Sequence, residues 1–384
     1  MCIRDRTESI QEALDLVNYQ LQSAKITVTK DFDDALPYIV ASWEHLKLSL
    51  IHIYTDQTGA RMALITMRQA ITDALREEMH RDENVFIMGQ EVGVWGGTYA
   101  VTRGFYDEFG EKRVRDTPIS EMAIAGAAAG AAMNGLRPVA EFMTINFAFL
   151  ALDQIVNHAA KVHYMFGGQM KCPVVYRAPG GGGRQLGATH SHTPDVIFAH
   201  FPGLKVVSPS TPYDAKGLLK AAIRSDDPVL YIEHHTLYQI RGEVPEGDYV
   251  VPIGVSDVKR EGSDVTLIAY AQGLQVALEA AKQLATEGIE AEVVDLRSLR
   301  PLDMGPVLAS FRKTFRAVIV EEGFRSYGIG AEIAARLQEE GFDYMDAPIK
   351  RVAQYEVPLP YSRELEQSAL INQERVVAAV KEIL

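Results

Sequence analysis

The stretch TPISEMAIAGAAAGAAMNGLRPVAEF, residues 117–142, decides the prediction of the fold. Its start predicts a helix that continues to residue 135, with Thr117 as N-cap and Pro118 at the first helical position. An apolar strand at residues 138–142 follows directly. Helices that alternate with short apolar strands are typical of an α/β fold with a mostly parallel sheet. Alanine and glycine lie on nearly every face of this helix, which indicates close backbone packing in a tight interface.

The same alternation continues on both sides of this stretch. It predicts a first α/β domain over residues 62–240, a linker over 241–256 that is rich in glycine, proline and charge, and a smaller α/β domain over 257–384. The predicted strands are 85–89, 138–142, 173–177, 204–207 and 228–233, then 264–270, 290–295, 316–320 and 349–353. The predicted helices are 66–80, 121–135, 147–163, 213–224, 274–284 and 330–340.

Residues 1–61 do not continue this pattern. The strings CIRDR at 2–6 and LSLIHI at 48–53 look like translated sequencing adapters. We therefore predict a non-family extension that belongs to a chimeric reading frame, with Met62 as the natural start. A genuine, lineage-specific extension is the alternative that stays open.

Composition excludes several classes of function. A net charge of -13 leaves no broad basic surface for nucleic acid. No run of 18 or more apolar residues indicates a membrane span. The two cysteines, Cys2 and Cys172, cannot form a disulfide framework. The sequence therefore predicts a folded cytoplasmic protein that binds neither nucleic acid nor membranes.

Three candidate sites each have a plain structural interpretation as well as a functional one. Glu121 is in the first turn of its helix, where the helix dipole alone favours a carboxylate. The loop APGGGGRQLGATHSH, residues 178–192, follows a predicted strand, so its glycines are placed to approach a ligand or to move as a gate. Its histidines, His190 and His192, also fit surface residues or an adventitious metal pair. Met143 and Phe147 fit a ligand pocket or ordinary core packing.

The ordered motifs of residues 62–384 resemble those of one enzyme family. The segments TPISEMAIAGAAAGAAMNGLRPVAEFMTINF, GGGRQLGATHSH, FPGLKVVSPSTPYDAKGLLKAAIR, VVDLRSLRPLD and VEEGFRSYGIGAEIA are together similar to the beta subunits of pyruvate dehydrogenase and its close relatives. The resemblance implies a transketolase-like pyrimidine-binding domain followed by a transketolase C-terminal-type domain. It also implies the use of thiamine diphosphate.

The resemblance assigns roles to four residues. It implies that Glu121 hydrogen-bonds the N1′ nitrogen of the cofactor's aminopyrimidine ring and so helps to activate the cofactor. Met143 and Phe147 fall on positions that contact this ring. His190 falls on the loop histidine that assists transfer of the acyl group to the lipoyl group, as a general acid or by orienting the intermediate.

A missing motif predicts a partner. The family binds diphosphate and magnesium through a glycine-aspartate-glycine segment followed by asparagine, and residues 62–384 contain no such segment. The resemblance therefore implies an alpha subunit that holds the magnesium, an α2β2 assembly, and a thiamine diphosphate shared between the two chains. Some members of the family also bind potassium through backbone carbonyls; the corresponding positions are Val174, Ala222, Ile223, Ser225 and Asp227.

The implied reaction is oxidative decarboxylation of pyruvate, with transfer of the acetyl group to a lipoyl acyltransferase. Acetoin dehydrogenase and branched-chain 2-oxo acid dehydrogenase beta subunits use the same half-site and remain alternatives. A non-catalytic scaffold subunit is the rival from another class. The presence of both Glu121 and His190 argues against the scaffold.

Overall fold

The computed structural model describes residues 62–384, and the predicted non-family extension, residues 1–61, lies outside the described residues. Two sheets of seven and five strands carry the described part of the chain, together with a separate two-stranded sheet. Within residues 62–384, no helix combines the length and the apolar character that a membrane crossing needs.

The seven-stranded sheet has the order β12-β6-β7-β5-β4-β2-β3, and all pairs except β12–β6 are parallel. Its strands are β2 (Val85–Gly89), β3 (Val114–Asp116), β4 (Arg137–Glu141), β5 (Val175–Gly180), β6 (Lys205–Val207), β7 (Val229–His234) and β12 (Ser298–Arg300). The two-stranded sheet pairs β1 (Met62–Thr66) with β8 (Arg241–Pro245) in antiparallel register.

Helices cover the faces of this sheet. They are α1 (Met67–Arg81), α2 (Phe105–Phe109), α3 (Glu121–Met133), α4 (Ala160–Met165), α5 (Asp195–Ala199) and α6 (Pro212–Arg224). A 3₁₀ helix (Ile145–Ala151) and a π-helical segment (Gln154–Ala159) precede α4, and a second 3₁₀ helix (His235–Gln239) follows β7. The hydroxyl of Thr66 accepts from Gln69 N–H at the start of α1, which is the capping that its sequence favours.

The five-stranded sheet has the order β14-β13-β10-β11-β9, with only β9 antiparallel to its neighbour. Its strands are β9 (Asp257–Arg260), β10 (Val265–Ala269), β11 (Ala291–Asp295), β13 (Ala317–Phe324) and β14 (Lys350–Gln354). The accompanying helices are α7 (Ala271–Thr286), α8 (Gly305–Thr314), α9 (Ile329–Gly341), a 3₁₀ turn (Phe342–Tyr344), α10 (Arg363–Ala369) and α11 (Gln373–Lys381). One hydrophobic cluster contains Phe142 and Tyr176 of the first sheet region and Ile268 and Phe311 of the second. The core is therefore continuous between the two sheets.

The α/β fold is confirmed, but several local features differ from the sequence-based expectation, and four of them concern predicted segments. The predicted helix 147–163 is broken into a 3₁₀ helix, a π-helical segment and α4. Helix α3 begins at Glu121, so Thr117 is not its N-cap; Ser120 is, without a capping side-chain bond. The first residues of the predicted linker form β8, which pairs with residues far upstream. Strand β12 joins the first sheet although it lies in the predicted second domain.

Candidate active site

Glu121 lies beside the carboxyl end of β2, where ligands collect in parallel α/β sheets. The side chain is buried at the first position of α3. Its Oε1 accepts a hydrogen bond of 2.8 Å from Nε2 of Gln90, the residue that follows β2. Gln90 is buried as well. The sheet edge and the helix N-terminus therefore hold one carboxylate in a fixed orientation.

Unpartnered polar atoms next to this carboxylate fit a polar heterocycle. Gln90 Oε1 and Thr117 Oγ1 are buried and have no hydrogen-bond partner among the described residues. An orphaned buried polar atom costs about 1–3 kcal/mol, so a ligand that pairs with it is favoured. An aminopyrimidine ring carries both a donor amino group and acceptor nitrogens. The residues around Glu121 therefore fit the ring that the family resemblance implies.

Met143 and Phe147 belong to the segment that follows β4, and both are half-buried. Phe147 lies in the 3₁₀ helix, and its ring meets the ring of His190 edge-on, with centroids 5.4 Å apart. The structure thus brings the predicted ring-contacting segment together with the predicted acid. Glu121 makes its hydrogen bond to Gln90, and no direct contact joins it to His190 among residues 62–384.

Two buried carboxylates of the C-terminal half anchor the loop that carries His190. Glu322 of β13 accepts from Gly182 N–H at 2.7 Å and from the hydroxyl of Thr193 at 3.3 Å. Glu366 of α10 accepts from Gly183 N–H at 3.0 Å and from the side chain of Gln185 at 3.0 Å. Hydrogen bonds to Glu322 and Glu366 therefore fix both ends of the loop, and the residues between Gln185 and Thr193 have no bond to these two carboxylates.

The glycines at positions 180–183 allow the backbone of the loop to pass close to neighbouring side chains. Gly181 has φ +90°, and a Cβ atom there would lie 1.9 Å from Nε2 of His234. A Cβ atom at Gly182 would lie 2.7 Å from side-chain carbons of Leu359 and Leu370. The sequence offered two interpretations of these glycines: close approach of the backbone to a ligand, or movement as a gate. The structure favours close approach, and the groups approached are side chains of the protein itself.

The sequence interpretation missed a buried charge cluster behind the sheet edge. Arg177 of β5 is 1% exposed and bonds the carboxylates of Glu141 on β4 and Glu233 on β7. The hydroxyl of Tyr238 also donates to Glu233. Burial raises the pKa of Glu141, against the opposing charge of Arg177. The signal for this cluster was three charged residues at the ends of otherwise apolar strands.

The carboxylate of Glu141, a member of this cluster, lies close to the glycine-rich segment after β2. Gly97 has φ +76°, and a Cβ atom there would lie 2.7 Å from Glu141 Oε1. Further along, the ring of Tyr99 stacks on His235 and lies under the guanidinium of Arg184. The segment after β2 and the loop of His190 are therefore in contact.

Four of the five carbonyl groups predicted to bind potassium already accept a hydrogen bond within the protein. Arg137 Nη1 donates to the carbonyls of Ile223, at 2.9 Å, and Ser225, at 3.0 Å. The carbonyls of Val174 and Ala222 accept from backbone N–H groups. The side chain of Asp227 pairs with Lys205. Among residues 62–384, no group of three or more His, Cys, Asp and Glu side chains is arranged to hold a metal ion.

Two cavities meet at the loop of His190. The larger, about 430 Å³, lies between the loop and the C-terminal half and is lined in part by Ser191, His192 and Tyr327. The smaller, about 210 Å³, contains His192 again, with Phe149. Ser191 Oγ is buried without a hydrogen-bond partner among the described residues. Space and polar groups for a substrate are thus present beside the loop.

Comparison with known proteins places this geometry in a family. Residues 63–241 match the transketolase pyrimidine binding domain, and residues 254–376 match the transketolase C-terminal domain. The chain is 49% identical over 326 residues to the pyruvate dehydrogenase E1 component subunit beta of Rhizobium meliloti, covering 85% of this chain and 71% of that one. The Rickettsia felis protein of the same name is 49% identical over 319 residues, covering 83% and 98%.

A plant relative and a solved structure extend the comparison. The mitochondrial pyruvate dehydrogenase E1 component subunit beta-2 of Oryza sativa is 48% identical over 321 residues, covering 83% of this chain and 85% of that one. A structure described as a split gene transketolase, an inactive beta4 tetramer, superposes with a TM-score of 0.69 at 28% identity. It covers 84% of this chain and 99% of its own.

Proposed function

The chain belongs to the family of pyruvate dehydrogenase E1 beta subunits, and we propose that it supplies the pyrimidine-binding half of a thiamine diphosphate site that a separate alpha subunit completes. The observation that carries this proposal is the buried pair of Glu121 and Gln90 at the carboxyl edge of the parallel sheet. Transketolase-like proteins of this family use thiamine diphosphate.

Glu121 is the proposed activator of the cofactor. Its Oε1 is held by Gln90, so Oε2 is available to the N1′ nitrogen of an aminopyrimidine. Met143 and Phe147 are proposed to flank the ring, since both lie in the segment after β4 and are half-buried. When bound, thiamine diphosphate supplies the electron sink for decarboxylation. The protein's contribution is to orient the ring and to hold a proton at N1′.

His190 is proposed to serve the second half-reaction, transfer of the acetyl group to a lipoyl acyltransferase. Its Nδ1 lies 2.9 Å from the hydroxyl of Thr189, and its ring contacts Phe147. This arrangement leaves Nε2 for a substrate. In this position the imidazole is proposed to deliver a proton to the lipoyl group as a general acid.

An alpha subunit in an α2β2 assembly is proposed as the main partner. Residues 62–384 lack the family's magnesium-diphosphate segment, so diphosphate and magnesium are assigned to the alpha chain. Apolar side chains beside Glu121 are available for an interface: Ile119 is 81% exposed and Met122 is 57% exposed. Large apolar groups left in water next to a site favour burial against a partner.

Co-expression with an alpha subunit tests this proposal. The purified complex should reduce an artificial electron acceptor in a thiamine diphosphate-dependent reaction with pyruvate, and the beta chain alone should not. Acetoin and branched-chain 2-oxo acids serve as competing substrates in the same assay. Turnover by the isolated beta chain would contradict the shared site, and preference for another substrate would contradict the assignment to pyruvate.

Potassium is proposed as a structural ion at the carbonyls of Val174, Ala222, Ile223, Ser225 and Asp227. Each carbonyl has two lone pairs, so those that accept one bond can still ligate a cation. Arg137 already supplies positive charge at two of them. Thermal unfolding in potassium chloride and in choline chloride at equal ionic strength tests the site. Equal midpoints would show that these carbonyls bind no potassium ion that stabilises the fold.

A reducing, cytoplasmic location is proposed from thiol chemistry. Cys172 is a buried free thiol, and burial raises its pKa to about 12, so it stays protonated and inert. The Oryza sativa relative is named as mitochondrial. Cell fractionation with an antibody to the C-terminal domain decides the compartment.

A further inference from the structure

His192 lies two residues after His190 and is held by one side chain, that of Asn146. Asn146 Oδ1 accepts from the backbone N–H of His192 at 3.1 Å and also bonds His192 Nδ1. Asn146 is 6% exposed and belongs to the 3₁₀ helix that carries Phe147. The C-terminal end of the loop and the proposed ring-contacting segment are therefore joined by a double hydrogen bond.

The pattern of bonds determines the tautomer of His192. A backbone N–H can only donate, so the atom that it meets on Asn146 is the carbonyl oxygen. The amide nitrogen of Asn146 points the other way and donates to the hydroxyl of Thr144 at 2.6 Å. Because Oδ1 can only accept, the His192 Nδ1 atom must carry a proton. The Nε2 atom is then free of one in the neutral ring.

Ring contacts place both histidines against the same short helix. His190 meets Phe147 edge-on, and His192 lies 6.0 Å from Phe149 between ring centroids. The N–H of Gly181 also donates to the carbonyl of His192 at 3.1 Å. His192 is thus the point at which the loop is fixed nearest to His190.

The surroundings of His192 favour its neutral form. Burial lowers its pKa, and the nearby His190 lowers it further. The other titratable groups that line the cavities around it are Asp195, His234, Tyr270, Glu321, Glu322, Tyr327 and Glu356. Glu322 is already paired with His234, and Glu356 accepts from Ser326 N–H. The charge of Glu322 is therefore directed to His234 rather than to His192.

We propose that Asn146 and His192 form a positioning pair for His190, in which Asn146 fixes His192 as the Nδ1–H tautomer and thereby fixes the C-terminal end of the loop, next to His190, against the 3₁₀ helix. The inference rests on the role proposed above for His190 in acetyl transfer. His190 is the group that acts on the substrate, and His192 sets its place. A small displacement of a reacting group costs on the order of 100-fold in rate.

A double-mutant cycle in the complex with the alpha subunit tests the pair. Asn146→Ala removes the acceptor, and His192→Phe keeps a ring against Phe149 but removes the donor. Each should lower acetyl transfer to a lipoyl domain on the order of 10- to 100-fold more than it lowers dye-coupled decarboxylation. The double variant should lose little more than Asn146→Ala alone, because Asn146→Ala already removes the ring bond that His192→Phe removes. Independent, multiplying losses would overturn the pair.

Three further tests separate positioning from chemistry. The pH profile of transfer in His192→Phe should have the same limbs as that of the normal enzyme, because His192 is not the acid; disappearance of a limb would make His192 the acid and overturn the proposal. Nitrogen-15 NMR of the ring should show Nδ1–H, and the other tautomer would overturn it. Asn146→Asp keeps the shape and the acceptor, so it should keep most of the transfer that Asn146→Ala loses; an equal loss counts against the pair.

The variant His190→Ala, measured alongside the others, shows whether a negative result contradicts the proposed role of His190 or only the positioning pair. Intact transfer in His190→Ala removes the proposed role of His190 and the positioning pair with it. Lost transfer in His190→Ala, together with normal transfer in Asn146→Ala and His192→Phe, overturns the pair alone.

Discussion

The imidazole of His234, the last residue of β7, faces the carboxylate of Glu322 in β13, with Nε2 2.9 Å from Oε1 and 3.0 Å from Oε2. His234 Nδ1 lies 2.7 Å from the hydroxyl of Thr236. That hydroxyl donates its single proton to Gln272 Oε1, so Nδ1 must donate as well. Both ring nitrogens therefore act as donors. A buried ion pair joins the two large sheets beneath the loop of His190.

The pair makes stability depend on pH in a defined direction. Burial alone would raise the pKa of Glu322, but the charge and hydrogen bond of His234 outweigh it and lower the pKa to about 2. A carboxyl whose pKa is lower in the folded state stabilises the protein above its unfolded pKa, near 4.3 to 4.5. This contribution is lost as the pH falls from about 4 toward 2.

We predict that Glu322→Gln destabilises the chain by about 3–5 kcal/mol near neutral pH, because it leaves a buried His234 without its counter-charge. The free energy of unfolding in urea measures the effect. The difference from the normal protein should shrink as the pH falls from about 4 toward 2, because the Glu322 carboxyl takes up a proton in the unfolded chain before it does so in the folded one. Glu364→Gln, an exposed glutamate on α10, is the control and should change stability by under about 0.5 kcal/mol. Equal effects of the two variants would refute the ion pair.

Asp195 should produce the opposite dependence on pH. Burial raises its pKa to about 7, although a hydrogen bond from Tyr270 works against this. Its Oδ1 atom is buried and has no hydrogen-bond partner among the described residues. An acid whose pKa is higher in the folded state binds extra protons there, so stability falls as the pH rises from about 4 to 7.

We therefore expect Asp195→Asn to flatten the decline of stability between pH 5 and pH 7, by at most about 1.4 kcal/mol per pH unit. The variant should resemble the normal protein at pH 5 and be more stable than it at pH 8. Urea unfolding across this range measures both. Asp343→Asn, at an exposed position, should keep the normal slope. A decline that persists unchanged in Asp195→Asn would assign it to Glu321 and Asp295, whose pKa values burial also raises to about 7.

Much of the fold could be predicted because its signals are local. Strand β2 has the predicted bounds, Val85–Gly89. They could be predicted because a fully buried strand is a continuous run of apolar residues between polar ones. The β1–β8 pair was missed because Met62 pairs with Pro245, far along the chain, and neither strand is strongly apolar. Strand β12 was missed for the same reason, since Ser298–Arg300 is short and its partner β6 belongs to the other sheet region.

The individual residues of the site could be predicted from the sequence, but the hydrogen bonds between them could not. Glu121 and His190 came from motifs that resemble a family. Their partners did not, because the bond from Gln90 to Glu121 and the bond from Asn146 to His192 join residues 31 and 46 positions apart. Spacing along the chain carries no information on such contacts. The π-helical segment at Gln154–Ala159 was missed because its apolar pattern is also that of an α-helix.

Glu121→Gln should abolish activation of the cofactor while leaving assembly with the alpha subunit intact, since the amide keeps the shape and loses the charge. We expect exchange of the proton at the cofactor's C2 position to slow on the order of 100-fold or more. NMR of the assembled tetramer measures this exchange, and size-exclusion chromatography checks assembly. Glu111→Gln, at an exposed position, is the matched control. A near-normal exchange rate would remove Glu121 from the mechanism.

His190→Ala should separate the two half-reactions. Decarboxylation with an artificial electron acceptor uses the cofactor's own electron sink, so the variant should retain measurable activity in that assay. Acetyl transfer opens the dithiolane of the lipoyl group and leaves a thiolate that a nearby acid must protonate. Loss of such an acid typically costs roughly 100- to 10,000-fold, so most transfer should disappear.

The structure makes this substitution a clean test. Glu322, Glu366 and Asn146 hold the loop through Gly182, Gly183, Gln185, His192 and Thr193, and none of these bonds involves the ring of His190. The loop should therefore keep its place without that ring, and His80→Ala, at an exposed histidine of α1, serves as the control. Rates for both half-reactions should be measured with a lipoyl domain and with dye on the same preparation. If both fall by the same factor in His190→Ala, the residue serves cofactor binding or loop order, and its role as an acid is wrong.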